Sequence, residues 1–103
     1  MLYLAVLYPQ PADGQQFEAD YIIHTALLHE KMGIPPDVKP YTMMKFLNTP
    51  EGPAPFYRIF TMPFESMETL QAAMSSPGMQ AVAADANRIS TGGPITILIG
   101  SRD

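Results

Sequence analysis

The run LYLAVLYP, from Leu2 to Pro9, is apolar on both of its alternating faces. One face carries Leu2, Leu4, Val6 and Tyr8; the other carries Tyr3, Ala5 and Leu7. ITILIG, Ile95–Gly100, repeats the pattern at the far end, with Ile95, Ile97 and Ile99 opposing Thr96 and Leu98. A strand covered on one side only reads apolar in and polar out, so two-faced strands need cover on both sides. The segments between them set how much cover is at hand. After the loop PQPADG a helix is expected from Asp13 or Gly14 to about Met32, stopped by Gly33. IPPDVKP is a connector. YTMMKFL (41–47) and FYRIFTMPF (56–64) read as strands flanking the turn-rich NTPEGPAP, with Pro63 near a strand end or edge. SMETLQAAM begins with Ser66 as N-cap and Thr69 three positions on, with Glu65 and Glu68 near the positive helix end. SSPG interrupts, MQAVAADANRI is helical again, and STGGP breaks the chain before the last strand.

The order is β-α-β-β-α-β, an α+β ferredoxin-like unit: a four-stranded antiparallel sheet with helices on one face. Two helical regions cannot cover both faces of that sheet. The remaining apolar face predicts a homodimer, two sheets packed face to face in a dimeric α+β barrel, with at least ~800 Å² buried per subunit. At 103 residues, positions 1–103 are expected to form a single domain.

Composition excludes several function classes. There is no cysteine, which removes disulfides, thiolate metal sites and thiol nucleophiles. The net charge is −4 and the six basic residues are scattered, which argues against nucleic acid as a partner. The opening MLYLAVLYPQP has no basic n-region and too short an apolar run for a membrane span, so a cytoplasmic protein without a membrane partner is expected. No phosphate loop, nucleophile elbow or metal signature is present, and no cofactor is called for.

The two histidines, His24 and His29, both lie in FEADYIIHTALLHEKMG. At ~100° per residue, Phe17, Tyr21, His24 and Leu28 share one helix face, flanked by Thr25 and Met32. His29 lies about 140° around from His24, beside Glu18 and Ile22, and reads as a surface residue. Helical metal pairs use spacings of three or four, and no third ligand has an obvious spacing, so no metal site is expected. His24 faces the sheet. It is either a buried histidine satisfied by one hydrogen bond or a polar group lining a cavity, where imidazole acts as acid or base or orients a ligand. Arg58, inside an apolar strand, requires a partner, with Asp85 and Glu68 as the candidates. Asp85 reads as a helix-end or loop-fixing carboxylate. Lys45 is expected to snorkel outward.

LYPQPADGQQFEADY, GPAPFYRIFTMPFESMETLQAAMSSPGMQAVAADA and TGGPITILIG resemble the EthD-like proteins, named for ethyl tert-butyl ether degradation, over nearly the whole chain. The resemblance implies the dimeric α+β barrel and a place in the degradation of ethers and other organic compounds or in polyketide-type biosynthesis. The wider superfamily includes cofactor-free monooxygenases, lactone isomerases and haem-degrading enzymes. The family pattern has a histidine eight residues after the helix phenylalanine; here that position is Thr25, and the histidine stands one earlier, at His24. Tyr57, Arg58 and Asp85 match the pattern. Three functions follow. The first is a small-molecule-binding or accessory protein, with a small apolar or aromatic partner held by Tyr21, His24, Thr25, Leu28, Tyr57, Arg58 and Asp85, and a lining that includes Met43, Met44, Phe60 and Met62. The second is a cofactor-independent oxygenase, isomerase or decarboxylase with His24 as the catalytic acid or base. The third is a dimeric assembly module.

Overall fold

The structure is a computed structural model that describes residues 1–102. Four strands, β1 (Leu2–Pro9), β2 (Thr42–Lys45), β3 (Phe56–Phe64) and β4 (Thr96–Ser101), form one antiparallel sheet in the order β2-β3-β1-β4. Helix α1 (Gly14–Met32) connects β1 to β2, and α2 (Met67–Ser75) and α3 (Pro77–Ile89) connect β3 to β4. The chain has the ferredoxin-like α+β fold that the order of its apolar segments predicts.

Local chemistry sets the element ends. The Asp13 carboxylate accepts from the backbone N–H groups of Gln15 and Gln16, at 3.0 and 3.2 Å, and opens α1. Gly33, at φ 66°, closes it in the left-handed conformation that glycine adopts without steric cost. Ser66 and Thr69 form a reciprocal capping box at the start of α2. Ser76 ends α2 and caps α3, whose first residue is Pro77. That start lies two residues before the expected one, because proline suits the first helical position. Strand β2 is shorter than the expected 41–47, since Tyr41 and Phe46 fall outside the ladder. Strand β4 is displaced one residue, to Thr96–Ser101.

The register places Leu4 opposite Met62 and Ile99, Val6 opposite Phe60 and Ile97, and Met43 opposite Phe60. These side chains share the helix-covered face. A register shift at Tyr8/Pro9 lets two consecutive β3 residues, Tyr57 and Arg58, reach that same side. The Tyr57 ring lies 5.3 Å from Phe17, and the Arg58 guanidinium lies 5.0 Å from the Tyr21 ring centre. Tyr8, Phe17, Tyr21, Ala86 and Ile89 form one half of the core; Leu28, Tyr41, Met79 and Val82 form the other. The residues of α1 buried in this packing are Phe17, Tyr21, His24 and Leu28, the stripe read from helical spacing. The opposite sheet face presents Tyr3, Ala5, Leu7, Ile59 and Leu98 with no helix over it, and Leu98 is 54 % exposed. Among the described residues no helix is long and apolar enough to cross a membrane.

Three loops meet at one end of the sheet. The Gln10 side-chain amide donates to the carbonyls of Ala54 and Phe56, and the Ala12 N–H donates to Thr91 Oγ1. Gly92 lies against Gln10 so closely that a Cβ there would sit 1.7 Å from the Gln10 carbonyl oxygen. Only glycine fits this approach.

Candidate binding site

A cavity of about 100 Å³ lies between the sheet and the helices. Leu4, Val6, Phe60 and Ile97 form its floor; Tyr21, His24, Thr25 and Leu28 of α1 form one wall. Met74 of α2 and Met79, Val82, Ala83 and Ala86 of α3 form the other. The walls carry no Asp, Glu, Lys or Arg side chain. Tyr8, Tyr21, His24, Thr25 and Gln80 are the polar residues of its lining, and the Tyr8 hydroxyl lies 3.5 Å from His24 Nε2.

His24 is 7 % exposed and is held from behind. Its Nδ1 lies 2.8 Å from Asp85 Oδ2, while Asp85 Oδ1 accepts from Arg88 Nε at 2.8 Å. Burial pushes the Asp85 carboxyl upward, but the hydrogen bonds and charges of His24 and Arg88 outweigh it and hold the group below the ordinary carboxylate value. An ionised carboxylate only accepts, so Nδ1 donates and a neutral His24 carries its lone pair on Nε2. Nε2 lies 3.5 Å from the Tyr8 hydroxyl, at the outer edge of hydrogen bonding. Burial, reinforced by Tyr21 and Asp85, pushes the Tyr8 phenol far above its usual value. Burial likewise pushes Tyr21 up to about 12, against the opposing charge of Arg58. Both phenols therefore stay protonated at neutral pH. Among the described residues, the Tyr21 hydroxyl is the buried side-chain polar atom without a hydrogen-bond partner.

Tyr21 and Thr25 also border a second, open groove of about 930 Å³ along the outer flank of α1. Arg58 spans its inner end. The guanidinium donates to Glu18 twice, from Nε at 3.1 Å and from Nη2 at 2.7 Å, and packs over Tyr21. Burial pushes the Glu18 carboxyl up, and the hydrogen bonds and charge of Arg58, with Lys45, bring it below its ordinary value. Further along the groove, His29 Nε2 and the Tyr41 hydroxyl lie 2.8 Å apart. His29 Nδ1 lies 3.1 Å from the Pro35 carbonyl, which makes it the donor and leaves Nε2 to accept from Tyr41.

Several sequence expectations are corrected here. The partner of Arg58 is Glu18, not Asp85 or Glu68, because the bulge in the β1–β3 ladder turns the guanidinium toward α1. His29 is half-buried rather than a free surface residue, because the proline-rich connector folds back over it. Met44 is 59 % exposed on the uncovered sheet face, so it lines neither space. Lys45 extends outward but stays beside Glu18, at 3.6 Å, and over the Tyr57 ring. The structure brings Tyr21, His24, Thr25 and Leu28 together on the cavity wall. Arg58 borders the groove instead, Tyr57 packs on Phe17, and Asp85 stands behind His24. Among the described residues no group of three metal-ligating side chains converges.

The EthD domain model matches residues 10–92. The chain belongs to the EthD family. Among solved structures, this EthD chain is similar to an EthD family protein from Bacillus halodurans C-125, with 29% identity, a TM-score of 0.83, and coverage of 100% of this chain and 99% of that one. It shares its fold with a dimeric ferredoxin-like protein of unknown function from Jannaschia sp. CCS1, at 14% identity, TM-score 0.72, and 98% coverage of each chain. It also shares it with SnoaB, a cofactor-independent oxygenase from Streptomyces nogalater, at 12% identity, TM-score 0.56, and coverage of 98% of this chain and 90% of the other. Among curated protein sequences none matches at a significant level.

The family resemblance places a histidine at the position of Thr25. In this EthD chain the Thr25 hydroxyl donates to the Tyr21 carbonyl one turn back, at 2.8 Å, and His24 holds the buried place. Tyr8, absent from the sequence-derived site, was marked by its place on the covered face of β1. The family resemblance marks Asp85 without pairing it with His24; that pairing depends on how α1 packs against α3.

Proposed function

We propose that this EthD-family protein binds a small apolar or aromatic molecule between its helices and its sheet, acting in the degradation or biosynthesis of organic compounds. One observation carries this reading: an apolar cavity whose wall includes a buried histidine fixed by a carboxylate that stands outside the cavity. Convergence of polar atoms on an apolar space is the mark of a ligand site and distinguishes it from a module that only assembles. A second reading, a cofactor-independent enzyme, draws on the same pair. A carboxylate that orients an imidazole and stabilises its protonated form is the arrangement of a general base. His24 would take the proton through Nε2, and Asp85 would act as its positioning residue.

The uncovered sheet face supports a homodimer, as do fold neighbours described as dimeric. Sedimentation at micromolar concentration should give about twice the 11.3 kDa chain mass, and Leu98→Asp should give the single-chain mass. A wild-type monomer would refute the pairing.

Binding is tested by a ligand-observed NMR screen of single-ring aromatics against the wild type and against Ala83→Phe, which fills the cavity. Hits that the variant loses support the reading; hits that it retains place binding elsewhere and overturn it. Mass spectrometry of the hits after incubation, with and without oxygen, tests turnover. Product formed by the wild type and lost in His24→Leu selects the enzyme reading.

A further inference from the structure

We propose that the occupant of the helix–sheet cavity is a neutral single-ring phenol, bound through its hydroxyl to His24 Nε2. The proposal rests on the binding reading above and narrows it to one chemical class.

The atoms on the wall decide the class. Nδ1 is committed to Asp85, which does not border the cavity, whereas Tyr8, beside Nε2, does. Nε2 is therefore the nitrogen on the cavity side. At 3.5 Å, the Tyr8 hydroxyl satisfies it poorly. In the neutral imidazole Nε2 is an acceptor, and one left so nearly free favours a ligand that donates a hydrogen bond. Ketones, ethers and esters without an N–H or O–H cannot. A hydroxyl can do so and can accept from Tyr8 in return, completing both partners.

Charge and size narrow it further. With no Lys or Arg on the wall, a carboxylate would enter unpaired, at a high desolvation cost. Arg58 is engaged by Glu18 beyond Tyr21, and Arg88 holds Asp85 on the solvent side. A dry cavity of about 150 Å³ accepts benzene. The present one is about 100 Å³, and two of its wall residues, Met74 and Met79, have the flexible side chains that adapt to a guest. One ring enters such a space only as those side chains give way, and two fused rings do not fit. Tyr8, Tyr21 and Phe60 offer ring edges and faces to an aromatic guest in preference to an aliphatic alcohol.

The test compares phenol, toluene and benzoate by calorimetry and follows the ¹⁵N resonances of His24. Phenol should bind about tenfold more tightly than toluene, the worth of one good hydrogen bond, and benzoate should show no saturable binding. The Nε2 resonance should move on addition of phenol and stay in place with toluene. In His24→Leu the preference for phenol should vanish while toluene is retained. The wild-type comparison stands without the variant if that protein fails to fold. Equal binding of phenol and toluene overturns the hydroxyl contact and leaves cavity binding intact. Benzoate as the tightest ligand overturns the neutral class. No binding of any of the three to folded protein overturns the proposal, and the broader screen then decides whether the cavity binds anything.

Discussion

Replacing Asp85 with asparagine keeps the shape of the side chain and removes its charge. The carboxylate side chain is 17 % exposed and bonds His24 Nδ1 at 2.8 Å. A hydrogen bond to a charged group contributes about 1.5–3 kcal/mol, and a neutral one about 0.5–1.5 kcal/mol. The exchange should therefore cost about 1–1.5 kcal/mol through the His24 contact. The Arg88 contact lies in solvent and is screened, so it adds no comparable loss. For a chain of this length, each kcal/mol moves the melting temperature by about 4–8 °C, giving an expected fall of about 4–12 °C at pH 7. Thermal melting followed by circular dichroism reads this directly. The decisive step is the double-mutant cycle. In a His24→Ala background Asp85 keeps only its solvent-side contact with Arg88, and Asp85→Asn should then cost much less. An equal fall in both backgrounds would show that Asp85 does not act through His24. A melting temperature unchanged in the wild-type background would refute the pair as a stabilising contact.

The remaining expectations concern the supports of the site. Glu18→Leu leaves Arg58, 19 % exposed, without its carboxylate and should cost about 2 kcal/mol in urea denaturation, whereas Lys45→Ala, at a half-exposed pair, should stay within about 0.5 kcal/mol. Gly92→Ala drives a methyl group into the Gln10 carbonyl, and because that carbonyl is backbone and a Cβ has no rotamer, no side-chain movement relieves it; a loss of about 2–4 kcal/mol is expected, and near-wild-type stability would rule out the close approach. Because the folded-state pKa of Asp85 is depressed, its contribution is complete above the ordinary value of 3.8 and is lost as pH falls below it. The difference in stability between wild type and Asp85→Asn should therefore shrink only below about pH 4; a difference already gone at pH 5 would contradict the assignment.

The fold was legible because its signals are local and periodic. Alternation gave the two faces of β1, a spacing of four, three and four gave the buried side of α1, and capping residues gave the helix starts. The wall position of His24 follows from the same periodicity. What stayed hidden depends on chain segments far apart in sequence. Arg58 announced its need for a counter-ion, but the choice of Glu18 depends on a register shift that no residue type signals. The composition of IPPDVKP marks a connector without saying that it returns over His29 and brings Tyr41 within reach. Met44 and Met43 are equally apolar, and only the pairing of β2 with β3 decides which faces the helices.

The single residue joining α2 to α3 has a consequence for how such a cavity changes size. Ser76 serves both helices at once, so Met74 and Met79 stand on separate rods hinged at one point. One residue added to or removed from that extended joint would move one methionine relative to the other. The ladder of β1 with β3 and β4 would be untouched. Evolution could therefore retune the guest that fits by editing the joint, far more cheaply than by redrawing the floor.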